Sequence, residues 1–199
     1  MLKQRRLYIY NLFAGCIPGH GRIATKTRRA LLRWCGCEVG RNVCIGQYAK
    51  FRGCGRMVIG DNVMIASGVY LQSEGYLKIE DHVEILYKSL LAANGGSSLI
   101  IGHHTRIAHC VSIKTTEHEI DTAGPCIAGK TCYHDITVGA GCWICAGSIL
   151  APGTHIEDKC VVAAGAVVLE NTEHKKGSLL AGVPARVKKN YLEGACCVC

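Results

Sequence analysis

Aromatic side chains are scarce in this 199-residue chain: two Phe, two Trp and eight Tyr make up 6% of it. The chain is nevertheless 49% hydrophobic with mean hydropathy +0.17. Its apolar content comes from Ile, Val, Leu, Ala and Cys, a β-forming composition without the ring anchors of a sandwich. Long apolar runs are also missing. Runs such as Leu7 to Phe13, interrupted by Asn11, fall well short of the roughly 20 residues that cross a bilayer, so no transmembrane helix is expected. The basic start (Lys3, Arg5, Arg6) is followed by a short apolar stretch without a clear small-residue cleavage pattern. A soluble, cytoplasmic protein is the expectation. No basic-plus-aromatic pattern of a nucleic-acid module is present, and no nucleic-acid partner is expected.

Fourteen cysteines are present, but a disulfide framework suits short secreted chains with little core, and this chain has enough apolar residues to build one. Reduced thiols are expected. Cys142 and Cys145 have the spacing of zinc ligands, yet only Cys35 with Cys37 and the tail Cys196, Cys197 and Cys199 form other clusters. None matches as a second pair, so no metal is assigned. The formal charge is +8, with cations gathered at Arg22 to Arg33 and Arg186 to Lys189. Such an excess favours an anionic partner, and a phosphorylated cofactor ranks first among the candidates.

A six-residue step organises most of the chain. Aliphatic or aromatic residues head successive hexads at Val39, Ile45 and Phe51; Ile59, Ile65 and Leu71; Ile79, Ile85 and Leu91; Ile101, Ile107 and Ile113. The step resumes at Val138, Ile144 and Leu150, then Ile156, Val162 and Val168. Four residues after a head stands a small or β-branched residue, such as Val43, Ala49, Ser89, Thr105, Ser148 or Thr154. Neither a helix nor an alternating strand has period six. The pattern predicts a triangular prism in which three hexads make one coil and the heads stack inside three flat parallel sheets. Glycine after the head, as at Gly40, Gly46, Gly60, Gly102 and Gly139, marks bends with no room for a side chain. Residues to spare at Met57 and Val58, Leu77 and Lys78, and Asn94 to Ile100 are expected to bulge outward.

The length suits one domain with a small appendage. Residues 1–36 lack the hexad and show helical spacing around Ala30, Leu31, Leu32 and Trp34. They are expected to form a helical N-terminal cap over the first coil, with the β-helix at 37–177 and a tail at 178–199. Arg28, Arg29 and Arg33 would also suit peripheral contact with a membrane surface.

The repeat breaks at length between Glu117 and Ile136, and a long excursion from a regular solenoid is a place for function. His118 stands at its lip beside Glu117, Glu119 and Asp121. An imidazole there can take a proton from an attacking hydroxyl or amine, and a neighbouring acid can set its tautomer. The run Thr116 to Ile120, the loop, the run Ile136 to Ile144, and the segment Leu180-Ala181-Gly182-Val183-Pro184-Ala185-Arg186 together resemble the hexapeptide-repeat acyltransferases, in their sugar and polysaccharide O-acetyltransferase branch. The resemblance covers about residues 39–190.

It implies an all-β, left-handed parallel β-helix and acetyl transfer from acetyl-CoA to a sugar or other small-molecule hydroxyl. His118 is implied as general base. It further implies a homotrimer with each active site between two prisms. Ala146 and Ala164 would let coenzyme A approach the backbone, Arg186 and Lys189 would meet its phosphates, and Trp143 would flank the acceptor. One departure is Leu169-Glu170, where relatives carry Thr-Lys. Asn94 is a candidate to assist at the acceptor and oxyanion. Two other readings remain open: a γ-class carbonic anhydrase-like metalloenzyme using His104 and His109, for which His82 is out of register as a third ligand, and a scaffold without catalysis.

Overall fold

The chain in this computed structural model is described at residues 2–13, 17, 21–53, 55–122, 124 and 129–193. The Cys196, Cys197 and Cys199 cluster lies outside these residues. Short strands, most of two to four residues, follow one another around a prism. On the first face Val39, Ile59, Ile79, Ile101, Val138 and Ile156 are in register from coil to coil. On the second face the row runs Ile45, Ile65, Ile85, Ile107, Ile144, Val162 and Leu180. The third stacks Phe51, Leu71, Leu91, Ile113, Leu150 and Val168. Six complete coils result, and Ser178–Gly182 begins a seventh.

Every hexad head is buried, and so are the small residues four places later. Each buried Ile, Leu or Val contributes about 1.5–3 kcal/mol relative to exposure. Where a hydroxyl replaces an aliphatic group at the small position it finds a carbonyl: Ser89 Oγ donates to Ala108 O (2.7 Å) and Thr105 Oγ1 to Gly139 O (2.8 Å). These bonds remove the penalty of a buried unpaired hydroxyl. The glycine requirement is steric: a Cβ at Gly40 would lie 2.5 Å from the Gly60 backbone of the next coil.

One expectation is corrected. Met57, Leu77 and Leu99 do not bulge outward; they are buried and stack with Ile136 as a second inward row on the first face. The strands Arg56–Ile59, Tyr76–Ile79 and Ser98–Ile101 are four residues long, and side chains two apart share a face. The spare residues instead widen the corner between the third face and the first. Successive first-face heads are 20, 20, 22, 37 and 18 residues apart, so the long excursion is the largest of several insertions at one corner.

Two helices, α1 (Leu2–Phe13) and α2 (Arg22–Trp34), lie against the first coil. They bury Leu7, Tyr10, Ala24 and Leu32. The first coil exposes unpaired strand edges, a condition that a solenoid must cover. Here polar side chains reach all three of its heads. Arg33 Nε donates to Val39 O (2.9 Å), Arg28 Nη1 to Ile45 O (2.9 Å), and Asn11 exchanges two bonds with the Phe51 backbone (2.8 and 3.0 Å). Arg28 is thus 1% exposed, which corrects its expected availability for contact with a membrane surface: it is needed inward, against a carbonyl with no strand below it. No helix of the described residues is long and apolar enough to cross a membrane.

Candidate active site

The excursion from coil four is an antiparallel hairpin. Thr116–His118 pairs with Thr131–Tyr133, with Thr116 opposite Tyr133 and His118 opposite Thr131. Its root is polar and firmly tied. Thr115 is buried; its Oγ1 accepts from Asn94 N (2.9 Å) and Ser97 Oγ (2.7 Å), and its carbonyl accepts from His134 N (2.9 Å). Asp135 Oδ1 accepts from Ser98 N at 2.7 Å. Tyr133 lies over the turn at Gly95, where a Cβ would meet its ring.

His118 is exposed on this stalk, with Nδ1 3.3 Å from Thr131 Oγ1. The acids beside it are engaged elsewhere: Glu117 Oε1 lies 2.9 Å from His134 Nε2, and Glu119 Oε1 accepts from the Cys132 thiol at 3.3 Å. That bond to Glu119 is also the main reason the Cys132 thiol titrates above its ordinary range. Among the described residues, the hydroxyl of Thr131, which no pattern in the sequence singled out, is the group that lies against His118 Nδ1. Its signal lay in strand pairing thirteen residues away in sequence.

Asn94 sits beneath the hairpin. Its Nδ2 donates to Thr116 Oγ1 (2.5 Å), and its buried Oδ1 has no partner among the described residues. Asn94 and His118 are thus joined through Thr116, two residues from His118 on the same strand.

Ala146 and Ala164 occupy the corner between the second and third faces, stacked on consecutive coils with Gly165 N donating to Ala146 O (2.9 Å). The same corner carries Gln47-Tyr48, Tyr87-Lys88 and His109-Cys110 on coils one, three and four, but Ala146-Gly147 and Ala164-Gly165 on coils five and six. Gly147 and Gly165 have φ of +67°, and a Cβ at either would meet nothing within 4 Å. The corner there is bare backbone beside open space.

Trp143, 55% exposed, projects from the second face of coil five, in register between Arg106 and Val161. The chain then returns: Ala185–Asn190 runs antiparallel to Ser178–Gly182 after a cis Val183–Pro184 peptide. Residues three apart on a strand ordinarily face opposite ways. A bulge between Leu179 and Leu180 changes this, since Arg186 opposes Ala181 and Lys189 opposes Leu179. Ala181 and Leu179 share the outer face, so both cations are carried to the face that holds Trp143. Lys189 Nζ also lies 4.3 Å from the Tyr191 ring centroid.

The structure therefore makes two groups within one chain: His118 with Asn94 at the corner between the third and first faces, and Trp143, Ala146, Ala164, Arg186 and Lys189 on the second face and its neighbouring corner. It separates His104 from His109, which sit at different corners of coil four. His82, expected out of register, stacks on His104 with centroids 4.7 Å apart. Among the described residues no group of three or more His, Cys, Asp or Glu is arranged to hold a metal, and the eight described cysteines are free thiols.

Comparison with known proteins places this architecture. Residues 135–170 match the bacterial transferase hexapeptide (six repeats) family. The dTDP-4-amino-4,6-dideoxy-D-glucose acyltransferase of Escherichia coli is 30% identical over 157 residues, spanning 75% of this chain and 79% of the relative. A variant of AntD, an N-acyltransferase from Bacillus cereus, in complex with dTDP and coenzyme A, superposes with TM-score 0.69 at 21% identity, covering 81% of this chain and 88% of that one. A galactoside acetyltransferase in complex with coenzyme A gives 0.64 at 18% identity, covering 94% and 80%. At such identities the two structures show a shared fold. Taken with the sequence relative and the coil-by-coil register, the chain belongs to the hexapeptide-repeat acyltransferases.

Proposed function

We propose that this acyltransferase moves an acetyl group from acetyl-coenzyme A to a sugar or polysaccharide precursor, with His118 as general base. The observation that carries the reading is the hairpin: a stalk tied at its root presents one imidazole with its Nδ1 beside a hydroxyl. With Nδ1–H donating to Thr131 Oγ1, Nε2 is the free acceptor. It takes the proton as the acceptor oxygen or nitrogen attacks the thioester carbon, and returns it to the departing coenzyme A thiolate, so that ester or amide and free thiol result. Asn94 is assigned to the acceptor side, where its bond to Thr116 fixes the strand that carries His118.

The bare corner at Ala146 and Ala164 supports a bed for the pantetheine chain, since backbone groups are approachable where no Cβ projects beyond Ala. Arg186 and Lys189, brought to one face by the bulge, suit the phosphates of the same molecule. Because hairpin and bed lie at different corners of one prism, we assign the complete site to two neighbouring protomers of a trimer, with Trp143 at their junction.

The family branch resembled in sequence points to a hydroxyl acceptor. The amino-sugar acyltransferase at 30% identity favours a second reading, in which the acceptor group is the amine of a nucleotide-linked amino sugar. Screening both classes with acetyl-coenzyme A while following thiol release separates them. Acceptor-dependent release that needs His118 supports the proposal; equal release by His118→Ala contradicts it.

A further inference from the structure

The charge of this protein is confined to one end. Residues 1–37 hold eight of the 23 Lys and Arg and none of the 15 Asp and Glu. The remaining chain carries 15 of each sign, so the whole formal +8 belongs to the helical cap. Part of that charge is used inward: Arg28 and Arg33 bind carbonyls of the first coil, and Lys3 Nζ donates to Gly55 O. Arg5 and Lys26 project outward, and Arg29 is half-exposed.

Helix α1 is also apolar on both sides. Leu7 and Tyr10 are buried against the prism, while Leu2, Tyr8, Ile9, Leu12 and Phe13 are 44–72% exposed. Leu2, Arg5, Ile9 and Leu12 follow the three-and-four spacing of a single stripe, away from the buried residues. On α2, Ile23 is 83% exposed one turn before Lys26. Outward apolar side chains interleaved with cations, with no acid among them, match an interface whose outer layer is anionic and whose inner layer is hydrocarbon. Contact between two identical caps would set like charges against each other, and polyanionic RNA would leave the apolar stripe in water.

We propose that the cap docks this protein on an anionic lipid surface, α1 lying in the interface with its outer stripe among the headgroups and acyl chains, and Arg5, Lys26 and Arg29 beside lipid phosphates. The prism then stands away from the membrane, with the hairpin three coils above the cap, about 14 Å at the spacing of neighbouring strands.

The test is flotation of the full chain with phosphatidylcholine vesicles, alone or containing about 30% phosphatidylglycerol, at about 0.1 M salt. Binding at least about tenfold stronger to the anionic vesicles is expected. Each cation near the surface is worth about fivefold, so Arg5→Ala/Lys26→Ala/Arg29→Ala should weaken it about 100-fold. Ile9→Ser/Phe13→Ser should weaken what remains at high salt, where charge is screened. Unchanged circular dichroism and unfolding midpoints show that these exposed substitutions leave the fold intact. Absent binding, equal binding to neutral vesicles, RNA displacing the protein from vesicles, or cap variants that alter only the oligomeric state would each overturn the proposal.

Discussion

In the coils every hexad head is buried and each strand inside the stack pairs with the coil above and below; in the hairpin, Glu117, His118 and Glu119 are exposed and polar bonds at the root hold the strands. The contrast teaches that the apolar core and the proposed base occupy separate parts of the chain. The period of six carries the apolar core, and the one long departure from it carries the group that can move a proton. Substitutions should therefore split into two classes with little crossover.

The sharpest split is expected for His118→Ala. Acyl transfer should fall about 10²- to 10⁴-fold while the unfolding midpoint and coenzyme A affinity hold, because a general base contributes in that range without binding the leaving group. Steady-state kinetics with calorimetry reads both; activity within about threefold of wild type would move the base to another residue. Ile107→Ala, in the middle of the second-face row, should do the reverse. It should lose about 2–5 kcal/mol in urea unfolding through the cavity left between Ile85 and Ile144, with turnover intact in the fraction that stays folded. A loss below about 1 kcal/mol would mean that the stack relaxes around the gap.

Replacing both Arg186 and Lys189 with Ala should weaken coenzyme A at least about tenfold, and weaken an analogue lacking the 3′-phosphate and pyrophosphate less, with added salt shrinking the difference. Equal losses for both ligands would remove these cations from the phosphate site. Thr131→Val should lower turnover by about two- to tenfold, the worth of one hydrogen bond beside the His118 ring, with coenzyme A affinity unchanged. The smallest effect concerns the thiols. Among the eight described cysteines, Cys44 and Cys110 are exposed and should react before the buried ones with a thiol reagent at neutral pH. Cys142, buried and with its pKa pushed up by desolvation to about 12, should react only on unfolding. Early labelling of Cys142 would show that the coils open locally.

The core was legible because its signal is local and periodic: all the heads from Val39 to Val168 face inward as the six-residue step requires. The inner row of Met57, Leu77 and Leu99 was missed because it obeys a second period, two residues back from the head, hidden under the first. The cap was legible as helical only around Ala30 to Trp34; α1 lacks a polar face, so its helical period is faint. Arg28 reads as surface charge in a sequence, yet the unpaired carbonyl of Ile45 draws it inward, a demand visible only once the first coil exists. In the site, His118 could be found by its place at the break. The pairing of His118 with Thr131, and the bulge that turns Arg186 and Lys189 to one face, are set by register and not by any neighbour in sequence.

The central claim is that a complete active site joins the His118 hairpin of one protomer to the Ala146 and Ala164 corner of the next. Mixed reassembly tests it directly. His118→Ala lacks the base, and Ala146→Trp fills the bare corner, so each homotrimer should be inactive. Random mixing of equal amounts should restore about a quarter of the sites, those that draw an intact hairpin and an intact corner from different chains. A mixture that stays at the summed background of the two variants would show that each chain supplies its own hairpin and corner, and would contradict the account.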